Sequence, residues 1–134
     1  MLFDLNCVAL WNAVCLRFPA RKVDIVSVKI VSVQEMIKLN TQYRNKKSPT
    51  NVLTFSYTDT SPYEHDIALC ADVAEAEAKG RGVALRDYTA LLVVHAMLHA
   101  AGMDHEKTEE EDTKTQILER EILSECGFVP TTLK

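Results

Sequence analysis

The chain has 134 residues, of which 47% are hydrophobic and 25% are charged, and its formal net charge is −4. This length allows one domain with a single core, so we take residues 1–134 as one domain. No apolar run reaches the roughly 18 residues that a membrane-spanning helix needs. The first 18 residues mix polar and charged side chains into the apolar ones and do not resemble a signal peptide.

The charges are unevenly distributed along the chain. Residues 1–47 carry eight Lys or Arg and three Asp or Glu, whereas residues 48–105 carry three and eight. A basic N-terminal third permits a local basic surface, but an ordinary solvated surface explains the charges equally well. Charge alone therefore does not indicate a nucleic-acid partner.

The four cysteines do not form a C-x-x-C motif and lie far apart in the sequence, at Cys7, Cys15, Cys70 and Cys126. This spacing favours free buried thiols in a reducing cytosol over disulfides. We therefore expect a cytoplasmic protein.

Hydrophobic periodicity predicts five helices, at residues 7–18, 32–43, 72–80, 88–101 and 108–126. Runs rich in β-branched or alternating apolar residues predict strands at 23–31, 51–57 and 66–70. Residues 44–50 are polar, contain Pro49 and are predicted as a loop. This order of elements predicts an α+β domain in which a small mixed β-sheet packs with about five helices.

Helix boundaries are predicted from capping residues and glycines. Starts are indicated at Ser32, Asp72, Asp87 and Thr108, and ends at Gly80, Gly102 and Gly127. The helix at 88–101 is apolar nearly all round, so we expect it to be the central buried helix.

Three of the four histidines lie within eleven residues, at His95, His99 and His105. His95 and His99 are four residues apart, so a helix places both on one face, one turn apart. Gly102 allows the chain to reverse and bring His105 over that face. Three imidazoles with one open position are typical of a catalytic zinc site.

The spacing H-x-x-x-H-x-x-G-x-x-H matches a zincin with an extended third ligand, but one residue differs. A protease of that class needs Glu directly after the first His as general base. Here that residue is Ala96, which cannot accept a proton. The motif therefore predicts zinc binding without peptidase activity.

Three blocks in this sequence resemble the YbeY family of bacterial metal-dependent endoribonucleases. They are 39–55 (L-N-x-x-Y-R-x-K-x-x-P-T-N-V-L-T-F), 66–70 (D-I-A-L-C) and the His95–His105 motif. The blocks occur in the family's order. Three positions depart from its usual residues, His65, Lys47 and Ala96, and the family's first strand is expected to be reduced to residues 1–6 or missing.

The resemblance implies a zinc-dependent endoribonuclease that cleaves single-stranded RNA. It implies a role in ribosomal RNA maturation, at the 3′ end of the small-subunit RNA, and in ribosome quality control. The partners implied are ribosomal RNA and the small ribosomal subunit or its assembly factors. One Zn²⁺ per chain is implied at His95, His99 and His105, with a functional arginine, Arg44, in a cleft beside the metal.

Roles are also expected for other residues in or near these motifs. Arg44 is expected to pair with a phosphate, and Lys46 and Lys47 to add sequence-independent attraction for RNA, although a solvated loop also explains both lysines. Asp104, beside a ligand, is expected to orient the site, and the general base stays unassigned. His65 is interpreted as structural.

Tyr43 and Phe55 have the aromatic rings needed to stack on bases, but core packing is favoured for both. Two other functions stay open: a zinc-stabilised ribosome- or RNA-binding factor without catalysis, and a zincin-like peptidase, which Ala96 argues against. The sequence gives no oligomeric state.

Overall fold

The computed structural model describes residues 5–57, 60, 62–103 and 109–131. Its elements follow the predicted order: α1 (Cys7–Arg17), a 3₁₀ turn (Pro19–Arg21), β1 (Ile25–Val31), α2 (Val33–Arg44), β2 (Val52–Ser56), β3 (Glu64–Cys70), α3 (Ala71–Arg81), α4 (Leu85–Ala100) and α5 (Glu109–Glu125). The predicted α+β class, with five helices and a small sheet, is confirmed.

The sheet has strand order β1-β3-β2, with β3 in the centre. β1 runs parallel to β3, pairing Ile25 with Glu64 through to Val31 with Cys70. β2 runs antiparallel to β3, with Val52 opposite Leu69. The sheet is therefore mixed, as predicted, and β2 forms one of its edges.

The two faces of the sheet pack against different helices. Ile67 and Leu69 of β3 join the larger core, which contains α4, whereas Ala68 and Cys70 point to the other face and pack with Met36 of α2. This alternation follows from the two-residue period of a strand. The sheet consequently separates α2 from α4.

Helix α4 is the central element of the larger core and contacts α1, α3, α5, β2 and β3. Its buried residues lie on all sides of the helix and include Leu91, Val94, Met97 and Leu98, which have no exposed surface. Burying each of these large side chains contributes roughly 1.5–3 kcal/mol. The predicted central buried helix is confirmed.

Several predicted helix ends are confirmed. Ser32 Oγ accepts a hydrogen bond from the backbone N–H of Glu35, at 3.1 Å, and starts α2. Gly102 (φ 107°) and Gly127 (φ 84°) adopt the positive φ angles that glycine tolerates, and they follow α4 and α5. The cap predicted at Thr108 lies outside the described residues.

Three of the predicted helix caps, at Asp72, Gly80 and Asp87, are wrong. α3 is already helical at Ala71, so Asp72 lies in its first turn, and the helix passes through Gly80 to end at Gly82 (φ 67°). Gly82 adopts the left-handed conformation required at a helix end, whereas Gly80 only weakens a helix that continues. α4 begins at Leu85, so Asp87 lies in its first turn and does not cap it. Oδ1 of Asp87 instead accepts a hydrogen bond from the N–H of Val129 at 3.0 Å.

The N-terminal residues that the structure describes do not form the family's first strand. Asn6 is the N-cap of α1 and its Oδ1 accepts a hydrogen bond from the N–H of Ala9. Residues 1–4 lie outside the described part of the chain. Within the described residues, no helix is long and apolar enough to cross a membrane, and all four cysteines are free thiols.

Candidate active site

His95 and His99 lie in the last two turns of α4 and line one cavity of about 550 Å³. Leu92, Ala96 and Ala100 complete the same wall. These residues are separated by three or four positions, which is the spacing of one face of a helix. The structure therefore brings the two predicted histidines together on a shared wall, one turn apart.

The rest of the cavity lining comes from β2, from the residues just before it and from the end of α2. Thr54 and Ser56 of β2 line the cavity, as do the preceding residues Thr50 and Asn51. Strand alternation places Thr54 and Ser56 on the face of β2 that is turned to α4. The cavity is therefore lined by polar groups on one side and by the two histidines among small apolar residues on the other.

Arg44 reaches this cavity from the end of α2. The prediction that it lies in a loop is wrong, because α2 continues through Arg44 and ends where Asn45 adopts φ 55°. Asn45 and Lys46 donate backbone hydrogen bonds to carbonyls of the last turn, at 3.1 and 3.2 Å. Asn40 then anchors the following segment by donating its side-chain amide to the carbonyl of Ser48 at 2.7 Å. These bonds fix where the Arg44 backbone lies relative to β2.

Lys46 and Lys47 are exposed beside Arg44 but do not line the cavity. Among the described residues that line the cavity, Arg44 is the one whose side chain is always positively charged at neutral pH. The site residues Arg44, His95 and His99 thus share a cavity, and the two lysines lie outside it on the same surface.

Glu119 was missed by sequence analysis although it contacts a predicted ligand. Its Oε2 lies 2.5 Å from Nδ1 of His95, and the residue is buried on α5. The sequence does hold a signal for it. Glu119 falls within the apolar stripe of α5 that buries Ile122 and Leu123, where an acidic residue needs a specific partner.

The imidazole donors that the structure describes fit a divalent transition metal. An ionised carboxylate only accepts hydrogen bonds, so Nδ1–H of His95 donates to Glu119, and a metal held by His95 would be bound through Nε2. Within the described part of the chain, no three His, Cys, Asp or Glu side chains cluster tightly enough to hold a metal. His105 and Asp104, the third predicted ligand and the residue predicted to orient the site, lie outside the described residues.

His65 is buried and engaged at both ring nitrogens. Nε2 lies 3.0 Å from Oδ2 of Asp24, and Nδ1 lies 2.7 Å from Oγ of Ser56. The side chain is 3% exposed and does not line the cavity. This position agrees with the structural interpretation of His65.

The core packing expected of Tyr43 is wrong. Its side chain is 55% exposed on α2, and its ring centroid lies 4.7 Å from that of Phe55. Phe55 is half-buried and packs against the smaller core, as expected. Tyr43 lies in the last turn of α2, and its contact with Phe55 leaves more than half of the residue exposed.

Comparison with known proteins connects this site to a family. The sequence profile of a family described as "Endoribonuclease YbeY" matches residues 9–127. The chain is 42% identical over 103 residues to Endoribonuclease YbeY of Delftia acidovorans, an alignment that covers 77% of this chain and 68% of that protein. It is 40% identical over 121 residues to Endoribonuclease YbeY of a Janthinobacterium species, which covers 88% of this chain and 76% of the relative.

A solved structure also matches the fold. The solution structure of TM1509 from Thermotoga maritima superposes with a TM-score of 0.60 at 26% identity, and the match covers 92% of this chain and 87% of the other. The likeness therefore extends over nearly the whole arrangement of sheet and helices that positions the cavity.

Proposed function

The chain belongs to the YbeY family of endoribonucleases, and we propose that it cleaves single-stranded RNA with one zinc ion held by His95, His99 and His105. Its task is ribosomal RNA maturation. The observation that supports the proposed site is the shared cavity of about 550 Å³, whose lining includes His95, His99 and Arg44. A lining that holds imidazoles and a guanidinium suits the binding of a phosphate.

Zinc is the metal that suits the proposed ligands. Neutral imidazoles are common zinc ligands, and three protein ligands leave the fourth position for water or substrate. When bound, zinc supplies Lewis acidity at a phosphoryl oxygen and lowers the pKa of a coordinated water. The metal dependence that the family implies is thereby assigned to specific residues of this chain.

Arg44 binds the phosphate in the proposed mechanism. Its planar guanidinium donates two parallel hydrogen bonds to phosphate oxygens, and these strengthen as negative charge develops on the phosphate. Lys46 and Lys47, exposed on the same surface, attract the RNA backbone without reading its sequence.

The walls of the cavity contribute specificity rather than proton transfer. The hydroxyls of Thr54 and Ser56 lie where they can contact a ribose or a phosphate. None of the described residues that line the cavity is Asp or Glu, and Ala96 occupies the place of the protease base. These lining residues therefore supply no general base, so the nucleophile would be a water that bound zinc activates or the 2′-hydroxyl of the RNA, and Asp104 would orient the ligands.

The biological setting of the proposal is the cytoplasm, with ribosomal RNA in the small subunit or its assembly intermediates as substrate. We take residues 1–134 to act as one domain in this proposal.

Metal removal and restoration test the proposal. Purified protein is stripped with a chelator, reconstituted with Zn²⁺, and incubated with a labelled single-stranded RNA, a duplex of the same sequence, and casein. We expect cleavage of the single-stranded RNA that disappears with the metal and returns with it. RNA binding without cleavage at full zinc occupancy would favour the non-catalytic factor, and casein hydrolysis would favour the peptidase; either result would overturn the proposal.

A further inference from the structure

Glu119 is a buried carboxylate whose partner is a proposed metal ligand. The residue is 2% exposed, and its Oε2 lies 2.5 Å from Nδ1 of His95. Among the ion pairs of the described residues, Glu119 pairs with His95 and with no Lys or Arg. An ionised carboxylate removed from water is costly unless it is hydrogen-bonded and its charge is compensated.

We propose that Glu119 is a positioning residue that holds His95 in the ligand-ready tautomer and orientation; this inference rests on the metal site of the proposed function. Because Glu119 accepts the Nδ1–H of His95, the neutral imidazole keeps its lone pair on Nε2. The same bond restricts rotation of the ring of His95, which lines the cavity. A histidine ligand anchored to a carboxylate in this way is also more basic towards the metal.

The arrangement explains why the acidic residue lies in the apolar stripe of α5. Thr115, Ile122 and Leu123 are buried on the same side of the helix, so α5 aims Glu119 at α4. A cation bound to the His95 ring would compensate the buried negative charge. The carboxylate consequently links α5 to the site without itself entering the cavity.

Glu121 provides a matched control on the same helix. It lies two residues from Glu119, its side chain is 52% exposed, and it pairs with Arg17 at 3.4 Å, away from His95. Glu119→Gln and Glu121→Gln are therefore chemically identical changes, of which one alters the contact with His95 and the other does not. Glutamine keeps the size of the side chain but removes its charge, and its amide can donate as well as accept.

The decisive experiment measures zinc affinity by competition with a chromophoric chelator, together with the melting temperature of the metal-free protein. We expect Glu119→Gln to bind zinc about 10- to 100-fold more weakly than the wild type, with Glu121→Gln unchanged. Equal zinc affinities for Glu119→Gln and the wild type would overturn this inference alone. A wild type that binds no zinc would overturn the metal site and this inference together.

A second measurement does not depend on Glu119→Gln folding or on metal binding. The imidazole nitrogen shifts of His95 are recorded by NMR in the metal-free wild type, and assigned by their loss in His95→Ala. When the ring is neutral, we expect Nδ1 to carry the proton and Nε2 to be unprotonated. The opposite tautomer would overturn the inference whatever the zinc measurements show.

Discussion

The carboxylate of Asp24 and the imidazole of His65 form a buried pair that connects the segment before β1 to β3, with Oδ2 of Asp24 3.0 Å from Nε2 of His65. The other oxygen of Asp24 accepts the backbone N–H of Tyr63 at 3.1 Å. Oγ of Ser56, on β2, lies 2.7 Å from the second ring nitrogen of His65. Polar contacts of these two side chains therefore connect β2, β3 and the residue that precedes β1.

Removal of Asp24 is expected to destabilise the fold. Asp24→Ala removes the acceptor of a buried imidazole N–H and of the part-buried backbone N–H of Tyr63, at a cost of about 3 kcal/mol. Glu75→Ala, an exposed position on α3, serves as control and should stay within about 0.5 kcal/mol of the wild type. Urea unfolding curves measure both. An Asp24→Ala curve that overlays the control would show that the pair does not stabilise the sheet.

The sequence contains local patterns that predict much of this fold. The apolar helix around His95, the Ser32 capping box and the glycines after α4 and α5 are local patterns, and the structure realises each of them. His95 and His99 were predicted to share a face because helical geometry relates positions four apart. Such features need no knowledge of distant contacts.

The misses depend on partners that are distant in sequence. Glu119 contacts His95 across 24 positions, and Asp24 contacts His65 across 41, so spacing along the chain does not reveal either pair. Gly80 and Gly82 are both plausible helix ends, and only the backbone conformation selects Gly82. The exposure of Tyr43 depends on how the end of α2 packs against β2, where Tyr43 contacts Phe55, and the sequence does not show that packing.

The three proposed ligands should each be needed for metal binding. His95→Ala, His99→Ala and His105→Ala each remove one of three protein ligands, so each should sharply lower the zinc content of the purified protein. His65→Ala is not a suitable control because that residue is buried; Lys47→Ala is suitable, since it is exposed. Elemental analysis gives the stoichiometry. Full zinc content in all three histidine variants would refute the ligand assignment.

Peptidase activity should be absent. Ala96 is 3% exposed and lines the cavity beside His95. Its methyl side chain has no group that takes a proton from water. The zinc-loaded protein should therefore hydrolyse casein and short peptides no faster than the metal-free protein does. Zinc-dependent peptide hydrolysis by the wild type would contradict this account of the motif.

Two cysteines should react slowly in the native protein. Burial, and secondarily the nearby charge of Asp24, raises the pKa of the Cys15 thiol, while burial followed by Glu125 raises that of Cys126. At pH 8 each thiol therefore has a smaller thiolate fraction than free cysteine, and the thiolate is the nucleophile. Alkylation followed by peptide mass spectrometry should show slow labelling of both that becomes fast in urea. Equal native and denatured rates would contradict the burial of these thiols.

Substitutions of Arg44 should distinguish a role in RNA cleavage from a role in folding. Arg44 is exposed at the end of α2, so Arg44→Ala should keep the zinc content and change stability by no more than about 0.5 kcal/mol. Arg44→Lys should restore only part of the cleavage, because an ammonium is a point charge without the planar fork. Lys38→Ala is the matched control, since Lys38 is an exposed cation on the same helix that does not line the cavity.

The cleavage rate of single-stranded RNA by zinc-loaded Arg44→Ala tests most directly whether Arg44 and the histidines form one site. The account predicts a rate about 100-fold or more below the wild type, with full zinc content and with Lys38→Ala at the wild-type rate. Cleavage by zinc-loaded Arg44→Ala at the wild-type rate would contradict it.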